Sequence, residues 1–175
     1  MWHSWGGVIL ASVVGLPVAG LSAWLLARTW HGRPVRYTVA EVFMVAGTLP
    51  WLWMILTPSR DTPRRVSLVP LRDLVTAAPA DLVVQIGGNL LVFAALGFLL
   101  PIRFAARVPA VLAVAATVSI TVETLQYALD LGRVSSVDDV LLNAAGAGLA
   151  ALCSRNWWRA RWYDRRAASV DAEPA

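Results

Sequence analysis

The sequence predicts an all-α, polytopic membrane helical bundle of about five transmembrane helices, with the N-terminus outside and the C-terminus inside. Three observations lead there. First, 58% of the 175 residues are hydrophobic and 15% are charged, where a soluble domain carries roughly a quarter charged residues. Second, the apolar residues fall in continuous runs that approach or exceed the ~18 residues of a spanning helix. They do not alternate with the period of two that a β-barrel needs. Third, the 15 basic residues, all of them Arg, lie in the segments between and after these runs, as charged membrane flanks do.

The first run is about Val8–Ala27. It has no positive n-region and no small-residue cleavage site, so a spanning helix is expected and not a signal peptide. Pro17 is expected to kink it. Trp2 and Trp5 suit one membrane interface, Trp24 and Trp30 the other. An Arg-bearing turn leads to the second run, about Val39–Thr57, where Glu41 near the start is favoured by the helix dipole. Pro58–Ala80 is the longest polar connection. Pro58, Pro63, Pro70 and Pro79 forbid a long helix there. Its apolar patch Val66–Leu71 reads as a plain connecting loop, with a cover over the bundle end as the alternative.

The third run, about Leu82–Ile102, places Gln85 and Asn89 on one face, and Gly87, Gly88 and Gly97 permit close helix contact. The fourth, about Val108–Leu129, carries Ser119, Glu123 and Gln126 as a polar stripe at helical period. Ser135 or Ser136 then caps the fifth run, about Val137–Leu152, with Asp138 or Asp139 completing a capping box. The small residues of 144–151 (A-A-G-A-G-L-A-A) form a close-packing surface. Domain organisation follows: a transmembrane helical domain at 1–154 and a basic, aromatic cytoplasmic tail at 155–175. Trp and Arg interleaved in that tail suit an interface with anionic lipid, and no nucleic acid partner is expected.

Orientation rests on the arginines. With the N-terminus outside, Arg28, Arg33, Arg36, Arg103, Arg107 and the five arginines of the tail lie inside, against Arg60, Arg64, Arg65, Arg72 and Arg133 outside. The excess inside sets the direction. The same orientation gathers Asn89, Glu123, Gln126, Arg133, Asp138, Asp139 and Asn143 within roughly 10 Å of the outer boundary. An ionisable side chain within a span is expensive and is a functional candidate by default.

Glu123, Asp139 and Arg133 are the candidates for chemistry; Asn89, Gln126, Asp138 and Asn143 are the candidates for ligand binding. One use is an outward-facing pocket for a polar headgroup or a lipid-linked envelope precursor, with catalysis left open. Glu123 would act as acid or base, or would join Asp139 as a cation ligand, while Arg133 would hold an anionic group. These oxygen donors suit a divalent cation. Zinc is not expected: no C-x-x-C or H-E-x-x-H occurs, His3 and His31 are isolated, and Cys153 is the one cysteine. No nucleophile stands out, since Ser119, Ser135 and Ser136 have no partner His. A second use is a small transporter, although transport sites usually lie near the midplane between inverted repeats, and no repeat is visible. A third is structural or partner-binding: Glu123 pairing with Arg133, Asp139 capping a helix, the amides bonding helix to helix. The oligomeric state is left open.

The residues also carry a family resemblance. Asn89-x-x-x-Phe93-x-x-x-Gly97-x-Leu99-Leu100-Pro101, then Ser119-x-x-x-Glu123-x-x-Gln126, then Arg133-x-x-x-x-x-Asp139-x-x-x-Asn143-x-x-Gly146 resembles the VanZ-like family over about Ser67–Leu152. The first two helices match it by hydropathy only. The resemblance implies a multi-pass protein of the bacterial cell membrane, linked through the family's founding member to resistance to the glycopeptide teicoplanin. It implies membrane lipid, and an envelope precursor or glycopeptide, as partners. It does not assign roles to Asn89, Glu123, Gln126, Arg133, Asp139 or Asn143. Two positions depart from the family pattern. Ala95 stands where proline is common, which alters the expected helix curvature. Ser136 stands where an acidic residue is common, which removes a carboxylate from the cluster.

Overall fold

The computed structural model of the protein describes residues 2–30, 32–59 and 65–159. Tail residues 160–175, the loop residues Arg60 and Arg64, and the side chains of Trp2 and Trp5 lie outside the described residues. The elements run α1 (Trp2–Thr29), α2 (Val35–Leu56), β1 (Arg65–Ser67), α3 (Arg72–Thr76), α4 (Pro79–Val92), α5 (Ala94–Phe104), α6 (Val108–Ala128), β2 (Val134–Ser136) and α7 (Val137–Cys153). Among the described residues, four segments are long and apolar enough to cross a membrane: Gly6–Thr29, Val35–Leu56, Asp81–Phe104 and Val108–Ala128. The fifth apolar run forms α7, with 17 residues, a length of about 26 Å against a hydrocarbon core of about 30 Å. Large apolar side chains such as Ile9, Val13, Trp53, Val83 and Leu149 are exposed on the outside of these helices. An exterior of this kind is stable when lipid is the solvent.

Helix α7 sits at the centre and packs on α4, α5 and α6, while α2 packs on α1 and α5. The core is small and tight: Val92, Phe93, Val111, Ala115, Ala147 and Ala151 are buried together. Small residues set the spacing. A Cβ added to Gly97 would stand 2.1 Å from the Ala147 carbonyl oxygen, and one added to Gly146 would stand 2.1 Å from that of Leu90. Backbones that close accept only glycine.

The third apolar run was expected as one helix. It is two, α4 and α5, separated at Phe93 with φ −111° and ψ 18°. No proline causes the break, since position 95 is Ala. Packing accounts for it: Leu90 lies against Gly146 and Gly97 against Ala147, so both halves lean on α7. Pro17 and Pro50 lie inside continuous helices.

The long connection between α2 and α4 does more than connect. Its β1 pairs in parallel with β2, with Arg65 opposite Val134 and Ser67 opposite Ser136. This two-stranded sheet was not expected from an all-α reading. The same segment is held by the buried Asp138 carboxylate, which accepts the backbone N–H of Leu71 and, at 3.1 Å, that of Asp73. Asp73 in turn accepts from Ser67 Oγ at 3.0 Å and Ser136 Oγ at 2.5 Å. The segment is thereby strapped over the end where α7 begins, so the cover and not the plain loop describes it.

At the opposite end, Glu41 does not rest on the helix dipole alone. Arg33 reaches it at 2.9 Å and Arg103 also pairs with it. The start of α2 and the end of α5 are tied there. Past α7, Trp158 is buried and donates from its indole N–H to the Ala151 carbonyl at 3.0 Å, and Trp157 meets Phe98 edge to face at 5.1 Å. The start of the tail is thus packed on the bundle.

Candidate functional site

The ends of α2 and α6, the start of α7 and the last turn of α4 around Asn89 meet in the bundle. Between them is a cavity of about 250 Å³, lined by Ile55, Ser59, Asn89, Glu123, Gln126, Arg133, Val134, Asp139 and Asn143. Six of the seven residues singled out from sequence are in that wall. Asp138 is the exception: it is 1% exposed and is held by the N–H groups of Leu71 and Asp73. Neighbouring residues on a helix point about 100° apart, so Asp138 and Asp139 cannot face the same space. Sequence reasoning missed Ser59, Ile55 and Val134. Ser59 had no signal beyond its place after Pro58; the bond from its N–H to the Leu131 carbonyl, at 2.7 Å, brings it in.

Each polar residue has a defined attachment. Ser136 is the N-cap of α7 and its Oγ accepts from Asp138 N–H at 3.1 Å. In a capping box, a carboxylate three residues on would take the Ser136 N–H. Here Glu123 Oε2, from α6, takes it at 3.0 Å. Asp139 is left to α4, where Asn89 Nδ2 donates to its Oδ1 at 2.5 Å. Ser135 Oγ donates to the Glu123 carbonyl at 2.9 Å. Ser136, at the position where the resemblance leads one to expect a carboxylate, is therefore a cap and a strap.

The amides reach across the bundle. Gln126 Nε2 donates to the Ile55 carbonyl at 2.8 Å, and Asn143 Nδ2 donates to Ser119 Oγ at 2.9 Å. Asn143 is 3% exposed, and its Oδ1 has no hydrogen-bond partner. Few buried polar atoms are left so, and each has a cost of about 1–3 kcal/mol.

Arg133 does not form the ion pair with Glu123 that its spacing suggested. Among the described residues, the pairs within 4 Å are those of Glu41. Arg133 instead donates from Nη2 to the Met54 carbonyl at 3.1 Å and from Nε toward that of Thr57 at 3.4 Å. A cation belongs at those last carbonyls of α2, the negative end of the helix dipole. Burial pulls the Arg133 guanidinium below its usual pKa, while the charges of Asp139 and Glu123 act the other way.

A second cavity, about 270 Å³, lies on the other side of Glu123. Its wall is mostly apolar: Val66, Leu68, Ile120, Tyr127, Val137 and Val140 contribute, and Glu123 is the residue it shares with the polar cavity. Among the described residues, no group of three or more His, Cys, Asp or Glu is placed to hold a metal ion. A divalent cation would have Glu123 and Asp139 as its carboxylates, with amide oxygens for the rest.

The profile of a family described as VanZ/LLP1 matches residues 35–159, most of the chain. The chain belongs to the VanZ/LLP1 family. No curated protein and no solved structure matches it. The VanZ/LLP1 match reaches further than the sequence motifs did, since it takes in α2. That helix supplies the carbonyls of Met54 and Ile55 to the site. It leaves out α1, whose main contacts are with α2. The polar cavity thus lies wholly within the VanZ/LLP1 region of an integral membrane protein.

Proposed function

We propose that this VanZ/LLP1 protein binds a polar headgroup of a membrane lipid or a lipid-linked envelope intermediate in the cavity between α2, α4, α6 and α7. The observation that carries the proposal is the convergence itself. Residues 89, 123, 126, 133, 139 and 143 come from three helices and a turn and share one space. Residues that only held helices together would fill that space with one another. Here the wall retains an unpartnered acceptor, Asn143 Oδ1, which a ligand group can satisfy.

The end bearing the cavity faces outward in this reading, as the arginine distribution favours. Family membership supports a link to teicoplanin resistance, and through it a bacterial cell-membrane location. Glu123 would bind the ligand and, if a reaction occurs, move a proton. Mass spectrometry of the gently purified protein tests the reading. A defined headgroup class, retained stoichiometrically and lost in Glu123→Gln and Asn143→Leu, is the expected result. Retention of mixed lipid in the ratio of the host membrane, unchanged in both variants, would overturn it.

A further inference from the structure

The hydrogen-bond inventory of the cavity shows which chemistry it lacks. Each of its amide NH2 groups gives one hydrogen bond to the protein: Gln126 to Ile55, Asn89 to Asp139, Asn143 to Ser119. Its acceptors are in excess. A carboxylate accepts about four hydrogen bonds; the Glu123 side chain takes one from Ser136, and that of Asp139 takes one from Asn89. Asn143 Oδ1 takes none. The guanidinium of Arg133 gives two of its five N–H groups, on Nε and Nη2, to the end of α2. Its charge is set against Glu123 and Asp139 in the same wall, with Asp73 and Asp138 adding negative field beside Asp139. The space is acceptor-rich, and with both carboxylates ionised its formal charge is negative. An anionic group would meet carboxylates there and leave the Asn143 oxygen bare.

We infer that the polar cavity takes a primary ammonium group, presented by the headgroup of an amine-bearing membrane lipid. This rests on the reading of the cavity as a headgroup site and names the chemistry of that headgroup. An ammonium offers three N–H donors and no acceptor, which matches Glu123, Asp139 and Asn143 Oδ1. One positive charge also balances two carboxylates against one guanidinium. Glu123 lines the apolar cavity as well, so a group held at its carboxylate lies beside a surface suited to an acyl chain. That favours a lipid as the source of the amine over a soluble one.

Native mass spectrometry of the full chain, titrated in detergent, tests this. The probes are dioleoyl phosphatidylethanolamine, its choline and glycerol counterparts, soluble ethanolamine, and MgCl2. The ethanolamine lipid is expected to bind about tenfold or more tightly than the choline lipid, which has the charge but no N–H donor. Asn143→Leu and Glu123→Gln should each reduce that preference, and Asn143→Asp, which keeps the oxygen and adds charge, should retain or raise it. Retention of the preference by Asn143→Asp separates lost recognition from a misfolded bundle. Equal binding of choline lipid, or a preference for the anionic glycerol lipid, would overturn the ammonium assignment and leave the headgroup site standing. Absence of saturable binding for every lipid by folded protein would overturn both. Soluble ethanolamine binding as tightly as the lipid would keep the amine and remove the lipid. Displacement of the lipid by MgCl2 at stoichiometric concentration would give the site to an inorganic cation instead.

Discussion

Glu123 accepts the backbone N–H of Ser136 at 3.0 Å across the turn between α6 and α7. One carboxylate oxygen is thus used to cap a helix of which Glu123 is not part. The same residue stands in the walls of both the polar and the apolar cavity. Its position couples the start of α7 to whatever occupies the site.

The strap over this end depends on Asp138. Its buried carboxylate receives two backbone N–H groups, from Leu71 and Asp73. Asp138→Asn keeps the shape and one acceptor but turns an NH2 toward one of those donors. A loss of about 1–3 kcal/mol is expected from the unmade, charge-assisted bond. Hydrogen exchange should rise at Leu71–Asp73 ahead of the helices. Unchanged protection there, with wild-type thermal stability, would remove Asp138 from this role.

The spans and the polar residues were legible because apolar run length and helical period are local properties. Ser119, Glu123 and Gln126 recur every three or four residues, and that spacing alone puts them on one face. What escaped was set by partners far along the chain. Strands β1 and β2 are three residues each and pair across the sequence interval from Arg65 to Val134, so no periodicity marks them. Arg133 binds carbonyls of Met54 and Thr57, and carbonyls have no residue type to read. The break at Phe93 follows from the approach of α4 and α5 to Gly146 and Ala147. The separation of Asp138 from Asp139 was in the sequence: adjacent helical residues cannot share a face.

Close approach makes Gly146 a second point of failure. A methyl there would overlap the Leu90 backbone, and backbone cannot yield as a flexible side chain can. Gly146→Ala is expected to cost about 1–3 kcal/mol by overpacking and to lower the melting temperature in detergent. Gly15→Ala, where a Cβ meets nothing within 4 Å, should leave it unchanged or raise it slightly, since Ala is the better helix former. Equal melting of the two variants would show that α4 and α7 are not in contact as described.

Orientation is open to a labelling experiment. Cys153 is exposed on the bundle surface at the end of α7, so burial in the fold does not shield it. The outward reading predicts that a membrane-impermeant maleimide leaves Cys153 unlabelled in whole cells and labels it after permeabilisation. The exposed Ala78, before α4, is at the opposite end. Ala78→Cys in a Cys153→Ser background should label in whole cells. Gly132 is a poorer site for that cysteine, because its φ of 63° strains any other residue. Labelling in the reverse order would turn the cavity toward the cytoplasm.

Glu123→Gln separates structure from chemistry at the residue that matters most. Gln keeps an oxygen for the Ser136 N–H, so the cap of α7 survives in outline. The neutral acceptor makes a weaker bond than a carboxylate, a difference of about 1 kcal/mol, and the melting temperature should fall by a few degrees at most. What Gln cannot supply is charge or a transferable proton. The variant should therefore reach the membrane at normal abundance, read by fluorescence-detected chromatography, and lose ligand retention. In a host without other resistance genes, and where the wild-type chain protects against teicoplanin, protection should be lost with it. Glu123→Asp keeps the charge on a shorter stem and should restore part of both. If Glu123→Gln matches wild type in abundance, retention and protection, the carboxylate's charge has no part in function, and Glu123 is left as the cap of α7. If abundance collapses, the bond to Ser136 needs the full charge, and Glu123→Asp, which keeps that charge, should restore abundance.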